Sequence, residues 1–238
     1  MVAVWRGSYS KPGHTRFVHA ERRQQSLARN LLEGFRYVRE NHTIKATLYI
    51  TVVMNVLLFP YVQMVPVIAR DVLHVDAALM GALQAAEGLG ALVGAVLIAS
   101  AVRINSHGRV FLGCSMLALI GLGVFSMSRC YLLSLPVLLF LGLGTAGFGT
   151  MQSTLVMLAA REEMRGRALG VLSLAIGTGP LGSLLLGAMA STVHPGFAIR
   201  VNALLGIVAL ACLIVLMPSF VDRTQPVRVS PIPRQARS

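Results

Sequence analysis

One carboxylate, Glu87, stands inside a long apolar run, Ala78–Val102. A charge in hydrocarbon costs on the order of several kcal/mol unless it is protonated, paired or wetted by a cavity. A carboxyl at such depth suits the binding and release of a proton, or the capture of a substrate cation. The alternative is a protonated carboxyl hydrogen-bonded within a helix bundle. Other polar side chains share such runs: Asn55 and Gln63 in the first, Gln84 beside Glu87 in the second, and Gln152, Ser153 and Thr154 in the fourth. Each can hydrogen-bond a small-molecule substrate or tie two helices together at ~0.6 kcal/mol. The third run has no strongly polar side chain and the sixth only Asn202. This distribution predicts a cavity lined by the first, second and fourth runs, with the third and sixth facing lipid.

Hydrolytic chemistry has no comparable set of residues. His14, His19, His42, His74, His107 and His194 all fall outside the apolar runs, and GxSxG, HExxH and Walker A patterns are absent. Cys114, Cys130 and Cys212 form no CxxC and no metal-ligand spacing. Cys114 and Cys212 read as small packing residues. The chain is therefore read as a non-enzyme with no catalytic residue, metal or cofactor. An intramembrane hydrolase is the disfavoured alternative. The net charge of +12 would suit nucleic acid if it covered a soluble face. It clusters between apolar runs instead, with few aromatics nearby, so no nucleic-acid partner is expected.

These residues need elements to hold them in a bilayer. The chain is 55% hydrophobic and only 13% charged, with a mean hydropathy of +0.70. Six apolar segments run Ala46–Ala69, Ala78–Val102, Val110–Met127, Tyr131–Ala160, Ala168–Val193 and Phe197–Met217. A spanning helix needs about 20 apolar residues; the last segment is short, with Arg200 near its start. The ~10-residue alternating segments of a β-barrel are missing. The predicted fold is an all-α polytopic membrane protein with six transmembrane helices. Arg70, Arg129 and Arg200 fall on one side of the bilayer, and the rest of the 21 basic residues fall on the other. The positive-inside rule then places both termini in the cytoplasm and the chain in a bacterial cytoplasmic (inner) membrane as a multi-pass protein.

Three domains are expected: a basic cytoplasmic linker over 1–45, a helical bundle over 46–217 and a basic disordered tail over 218–238. The linker has no apolar h-region of a signal peptide. Within it, near 26–40, Leu27, Leu31, Phe35 and Val38 share one helical face, with Ser26 as N-cap. This predicts an amphipathic helix on the inner leaflet, or a solvated linker helix. The tail carries four prolines and four arginines, which favour anionic lipid at ~1 kcal/mol per basic residue.

Gly81–Ala99 also aligns with Gly170–Ala188, matching Gly81/Gly170, Leu83/Leu172, Ala86/Ala175, Gly88/Gly177, Gly90/Gly179, Leu92/Leu181, Leu97/Leu186 and Ala99/Ala188. These are the second and fifth segments, equivalent members of two three-helix halves that cross the bilayer in opposite senses. That predicts two inverted repeats. Pro60 and Pro66 punctuate the first segment, Pro136 the fourth and Pro180 the fifth. Gly177-Thr-Gly179-Pro-Leu-Gly182 should bend the fifth. Gly90xxxGly94 and Gly179xxxSer183xxxGly187 permit close helix contact. The loop carrying Arg161, Glu162, Glu163, Arg165 and Arg167 reads as a cytoplasmic ion-pair gate or a topological anchor.

The chain resembles the C-terminal half of a major facilitator superfamily transporter, in the enterobactin-exporter-like branch. The residues that carry the likeness are Leu32-Glu-Gly-Phe-Arg-Tyr-Val-Arg39, Gly81-Ala-Leu-Gln-Ala-Ala-Glu-Gly-Leu-Gly-Ala-Leu-Val-Gly94, and Arg165-Gly-Arg-Ala-Leu-Gly170 leading into Gly179-Pro-Leu-Gly-Ser183. It covers about residues 27–217. The resemblance implies helices seven to twelve of a twelve-helix carrier, with the first, second, fourth and fifth lining the central cavity. The loop after the second helix keeps Arg103, Gly108 and Arg109 of the family's motif without an acidic partner. The leading basic stretch is similar to a carrier's central loop, so Met1 is expected to be an internal start or the edge of a truncated gene. The expected function is secondary active export of small organic molecules coupled to protons. The expected partners are the lipid bilayer and either an N-terminal half or a second copy of the chain. A non-transporting fragment, or a subunit acting by association, is the alternative.

Overall fold

The structure is a computed structural model that describes residues 32–100 and 106–217, and the described residues contain no strand. Six helices are long and apolar enough to cross a membrane: His42–Gln63, Ala77–Ser100, His107–Met127, Tyr131–Ala159, Glu162–Thr192 and Pro195–Leu216. Their order agrees with the six apolar segments. The sixth is longer than expected, a helix of 22 residues, because Pro195 opens it at a position where a missing N–H costs nothing.

Ahead of the first span, residues 32–40 form a helix, α1. Asn41 caps the next helix, α2 (His42–Val53), its side-chain oxygen accepting from the Thr43 and Ile44 N–H groups. The first span then loosens into a π turn at Met54–Leu58 and a 3-10 segment at Phe59–Gln63, followed by α3 (Val65–Asp71). Pro60 supplies no N–H and so cannot hold a regular α-helical ladder here. The second to fourth spans are α4 (Ala77–Ser100), α5 (His107–Met127) and α6 (Tyr131–Ala159). Pro136, five residues into α6, does not interrupt it. A 3-10 turn at Glu162–Met164 leads into α7 (Arg165–Ile176) and α8 (Gly179–Thr192), which form the fifth span broken at Gly177–Thr178. The sixth is α9 (Pro195–Leu216).

The first span lies at the centre, with 56% of its apolar window buried against 17% for the second. It packs against α6, α7, α8 and α9, while α4 lies mainly on α6, and α5 joins α6 to α9. The main contacts, of span two with four, five with one, three with four, six with one and three with six, exchange in pairs or map onto themselves when spans one, two and three swap with four, five and six. This is the arrangement of two inverted three-helix repeats in half of a major facilitator fold. Glycines set the closest approaches. A Cβ on Gly90 would run into the Leu139 carbonyl, one on Gly142 into the Glu87 carbonyl, and one on Gly94 would come within 2.8 Å of the Leu143 carbonyl. On the other side of α6, Gly144 leaves 2.7 Å for a Cβ before the Ala118 nitrogen, and Gly147 accommodates the Cys114 thiol. Cys212 faces outward and is exposed, so the packing role expected of it is not the one it has.

α1 covers part of the stretch expected to form an amphipathic face. Of the residues assigned to that face, Val38 is buried, Phe35 is 48% exposed, and Leu27 and Leu31 lie outside the described residues. The docking side is Gly34 and Val38. Gly34 has no side chain to keep α1 from α7, and a Cβ there would lie 3.0 Å from Val171 and 3.2 Å from the Arg167 carbonyl. Val38 then joins Ile44, Val156, Ala168 and Val171 in a small apolar cluster.

Candidate functional site

The loosened part of the first span gathers the polar groups. Tyr61, in the 3-10 segment, is 1% exposed. Its hydroxyl faces the carboxyl of Glu87 on α4 within electrostatic range, without a well-formed hydrogen bond. Glu87 itself is partly buried. Its backbone is pressed against Gly142, which fixes where the carboxyl leaves α4. Two further contacts radiate from the same span. The Thr51 hydroxyl lies 3.3 Å from Gln152 Oε1 on α6, and Gln63 Nε2 donates to the Ser183 hydroxyl on α8 at 3.0 Å.

Asn55 is buried and its amide donates to the Thr51 carbonyl at 2.8 Å, inside its own helix. Its Oδ1 lies 3.9 Å from where a Cβ on Gly179 would stand. Asn55 thus lies in the π turn beside the start of α8, next to the break in the fifth span. Gly182 closes the same interface, since a Cβ there would strike the Val56 carbonyl. Pro180 sits in the first turn of α8, where its missing N–H is harmless. Pro66 likewise opens α3. Gly187, by contrast, has nothing within 4 Å of its Cβ position, so the close contact runs through Gly182 rather than the Gly179–Gly187 row.

The remaining predicted residues stand apart. Gln84 is exposed, one turn from Glu87. The Thr154 hydroxyl donates to the Thr150 carbonyl of its own helix at 2.8 Å, a local bond that leaves α6 intact. Tyr61 and Thr51 were not singled out from the sequence, and Ser183 was named there only as a small packing residue. For Tyr61 the available signal was a phenol inside an apolar run, next to a proline that frees backbone groups.

The loop expected to act as a gate pairs differently. Among the described residues, Glu162 and Glu163 make no ion pair. Arg167 instead pairs with Glu33 of α1 at 2.7 Å, and Arg165 donates to the Met157 carbonyl at 3.2 Å. The Tyr37 hydroxyl accepts from the Arg161 N–H at 3.0 Å, and the Asn41 amide donates to the Ala159 carbonyl at 3.0 Å. The two glutamates are exposed on a three-residue turn and solvation satisfies them. The latch therefore joins α1 to the start of the fifth span instead of closing the loop on itself.

No group of three His, Cys, Asp or Glu side chains among the described residues could hold a metal ion. The arrangement is a single carboxyl on a continuous helix beside a phenol on the loosened part of the first span. No curated protein and no solved structure matches the chain. A family profile described as "transmembrane secretion effector" matches residues 13–234. With six membrane-spanning helices and that match over nearly its whole length, the chain belongs to the transmembrane secretion effector family of the major facilitator superfamily and is a membrane transporter.

Proposed function

We propose that the six spans act as the C-terminal half of a proton-coupled exporter of small organic molecules, with Glu87 as the proton-carrying group. The observation that carries this reading is the position of Glu87. It is the one carboxyl inside the six apolar runs of the sequence, and it faces the buried Tyr61 hydroxyl on the loosened part of the central span. A carboxyl that gains or loses a proton there changes the local charge where continuous α4 meets the loosened part of the first span. Interrupted helices beside an ionisable group are how such carriers build a site near mid-bilayer. In this reading Asn55, Gln63, Gln84, Gln152 and Thr154 are the further hydrogen-bonding groups offered to a substrate. The C-terminal-half assignment and the likeness to the enterobactin-exporter-like branch belong to this proposal.

Alternating access needs two bundles that rock about a site between them. The chain in this reading works with a separately encoded N-terminal half or with a second copy of itself, in an inner membrane with both termini cytoplasmic. The test is efflux of ethidium from cells that express the chain with its partner. Glu87→Gln keeps the volume and mimics the protonated form. It is expected to abolish efflux driven by a proton gradient while leaving the amount of inserted protein unchanged. Efflux with an unaltered pH dependence in that variant would make Glu87 a structural hydrogen-bonder.

A further inference from the structure

The end of the bundle opposite α1 holds a second polar feature, apart from Glu87. There the ends of α3 and α5 and the start of α9 enclose a pocket of about 230 Å3. Arg129, on the turn after α5, and Arg200, in the second turn of α9, both line it, together with His194. Arg129 is exposed, whereas the Nε of Arg200 is buried with no hydrogen-bond acceptor. No carboxylate lines the pocket, and neither arginine makes an ion pair among the described residues. The other basic residue at this end, Arg70, has an acidic neighbour, Asp71, at 3.7 Å. His194 Nδ1 accepts the Gly196 N–H at 3.2 Å. This acceptor role leaves Nε2 as the protonated nitrogen, a donor.

Two guanidiniums lining one small pocket repel each other, and the Nε of Arg200 loses hydration on burial. A bound anion offsets both costs. The planar fork of arginine matches phosphate oxygens two at a time, and a desolvated donor without an acceptor is the group that gains most from one. The rest of the wall is mixed, with Val72, Met127 and Phe197 apolar and Ser126 and Ser128 polar. We propose that Arg129 and Arg200 form a binding site for a phosphate group. Its source is either the headgroup of an anionic phospholipid or a soluble phosphate ester.

The test uses the full chain purified in a zwitterionic detergent. Native mass spectrometry with equal amounts of phosphatidylglycerol and phosphatidylcholine reads the lipid source. Thermal shift with glycerol 3-phosphate reads the soluble one. Arg129→Gln and Arg200→Gln are each expected to reduce binding about tenfold, the loss of one charge-assisted contact. Arg70→Gln should leave binding as it was. Arg129 is exposed, so its variant carries the test even if the Arg200 variant folds poorly. Preference for phosphatidylglycerol assigns a lipid site, and stabilisation by glycerol 3-phosphate alone assigns a soluble ester. Binding of neither above the level of the Arg129 variant, or equal loss in the Arg70 variant, overturns the proposal and leaves two arginines that merely snorkel to the interface.

Discussion

Glu87 and the glycines around it show how much depends on single side chains. Carbodiimides attack the protonated acid, so a Glu87 that exchanges its proton should be labelled less as pH rises. Glu87→Gln should abolish the labelling. Peptide mass spectrometry of the purified chain reads both, and labelling independent of pH would count against a proton carrier. The glycines give a prediction that does not depend on function. A methyl group on Gly90 or Gly142 must displace backbone of the facing helix, so alanine there should destabilise the fold by about 1–3 kcal/mol. Gly88 and Gly187 have nothing within 4 Å of their Cβ positions. Alanine at either should be neutral or slightly stabilising, within about 1 kcal/mol. Melting temperatures of the four variants in one detergent would decide the matter, and equal losses at all four would contradict the packing described.

At the scale of elements, α1 is held to the fifth span by a few contacts: Glu33–Arg167, Tyr37–Arg161, Asn41–Ala159 and the apolar seat of Val38. Both ends of the ion pair are partly exposed, so on its own it contributes about 0–1 kcal/mol. A charge reversal does more than remove that contribution, because it sets two like charges at the same distance. Glu33→Arg is expected to detach α1 and to speed tryptic cleavage at Arg36 and Arg39. Adding Arg167→Glu should restore protection. Cleavage rates unmoved by the first change would show that Val38 and Asn41 hold α1 without the pair. The break at Gly177–Thr178 belongs to this scale as well. It faces the loosened first span through Asn55 and Gly182, not a break in its symmetry mate α4, which is continuous.

For the whole molecule, α4 and α8 are the least enclosed helices. Leu92, Val96 and Leu97 of α4 and Leu181, Leu184 and Leu185 of α8 are exposed. The apolar residues suit lipid, but the exposed Gln84 of α4 and Gln63 at the end of the first span do not, since polar groups left facing hydrocarbon cost up to several kcal/mol. The half-carrier reading expects a second bundle to cover them. The purified chain should therefore run as a dimer or a heteromer in mild detergent. A monomer that moves substrate in liposomes would refute that reading. Topology has its own test. Reporter fusions in the Arg161–Arg167 loop and after Ser238 should report cytoplasm, and fusions near His74 and Arg129 the far side. A fusion after Ser238 that reports the far side would rule out the even number of crossings.

The sequence by itself determined the class of molecule and the order of its spans. Hydropathy over about 20 residues is a local sum, and hydrocarbon thickness turns it into a helix without any knowledge of neighbours. The position of Glu87 was legible for the same reason, because a charge in an apolar run stands out without a partner. Only the tertiary structure decided what each residue meets. Tyr61 faces Glu87 across 26 positions of chain, and Glu33 reaches Arg167 across a far longer stretch. Hydropathy carries no record of such pairs. The face that α1 buries was decided by Gly34, since the lack of a side chain brings backbones together more closely than the apolar stripe through Phe35 could. The glycines of α6 give the same result. The sequence contains Gly142, Gly144 and Gly147 as one small-residue run, and only packing shows that Gly142 faces α4 while Gly144 and Gly147 face α5. A helix turns about 100° per residue, so neighbours in sequence point at different partners, and those partners come from distant parts of the chain.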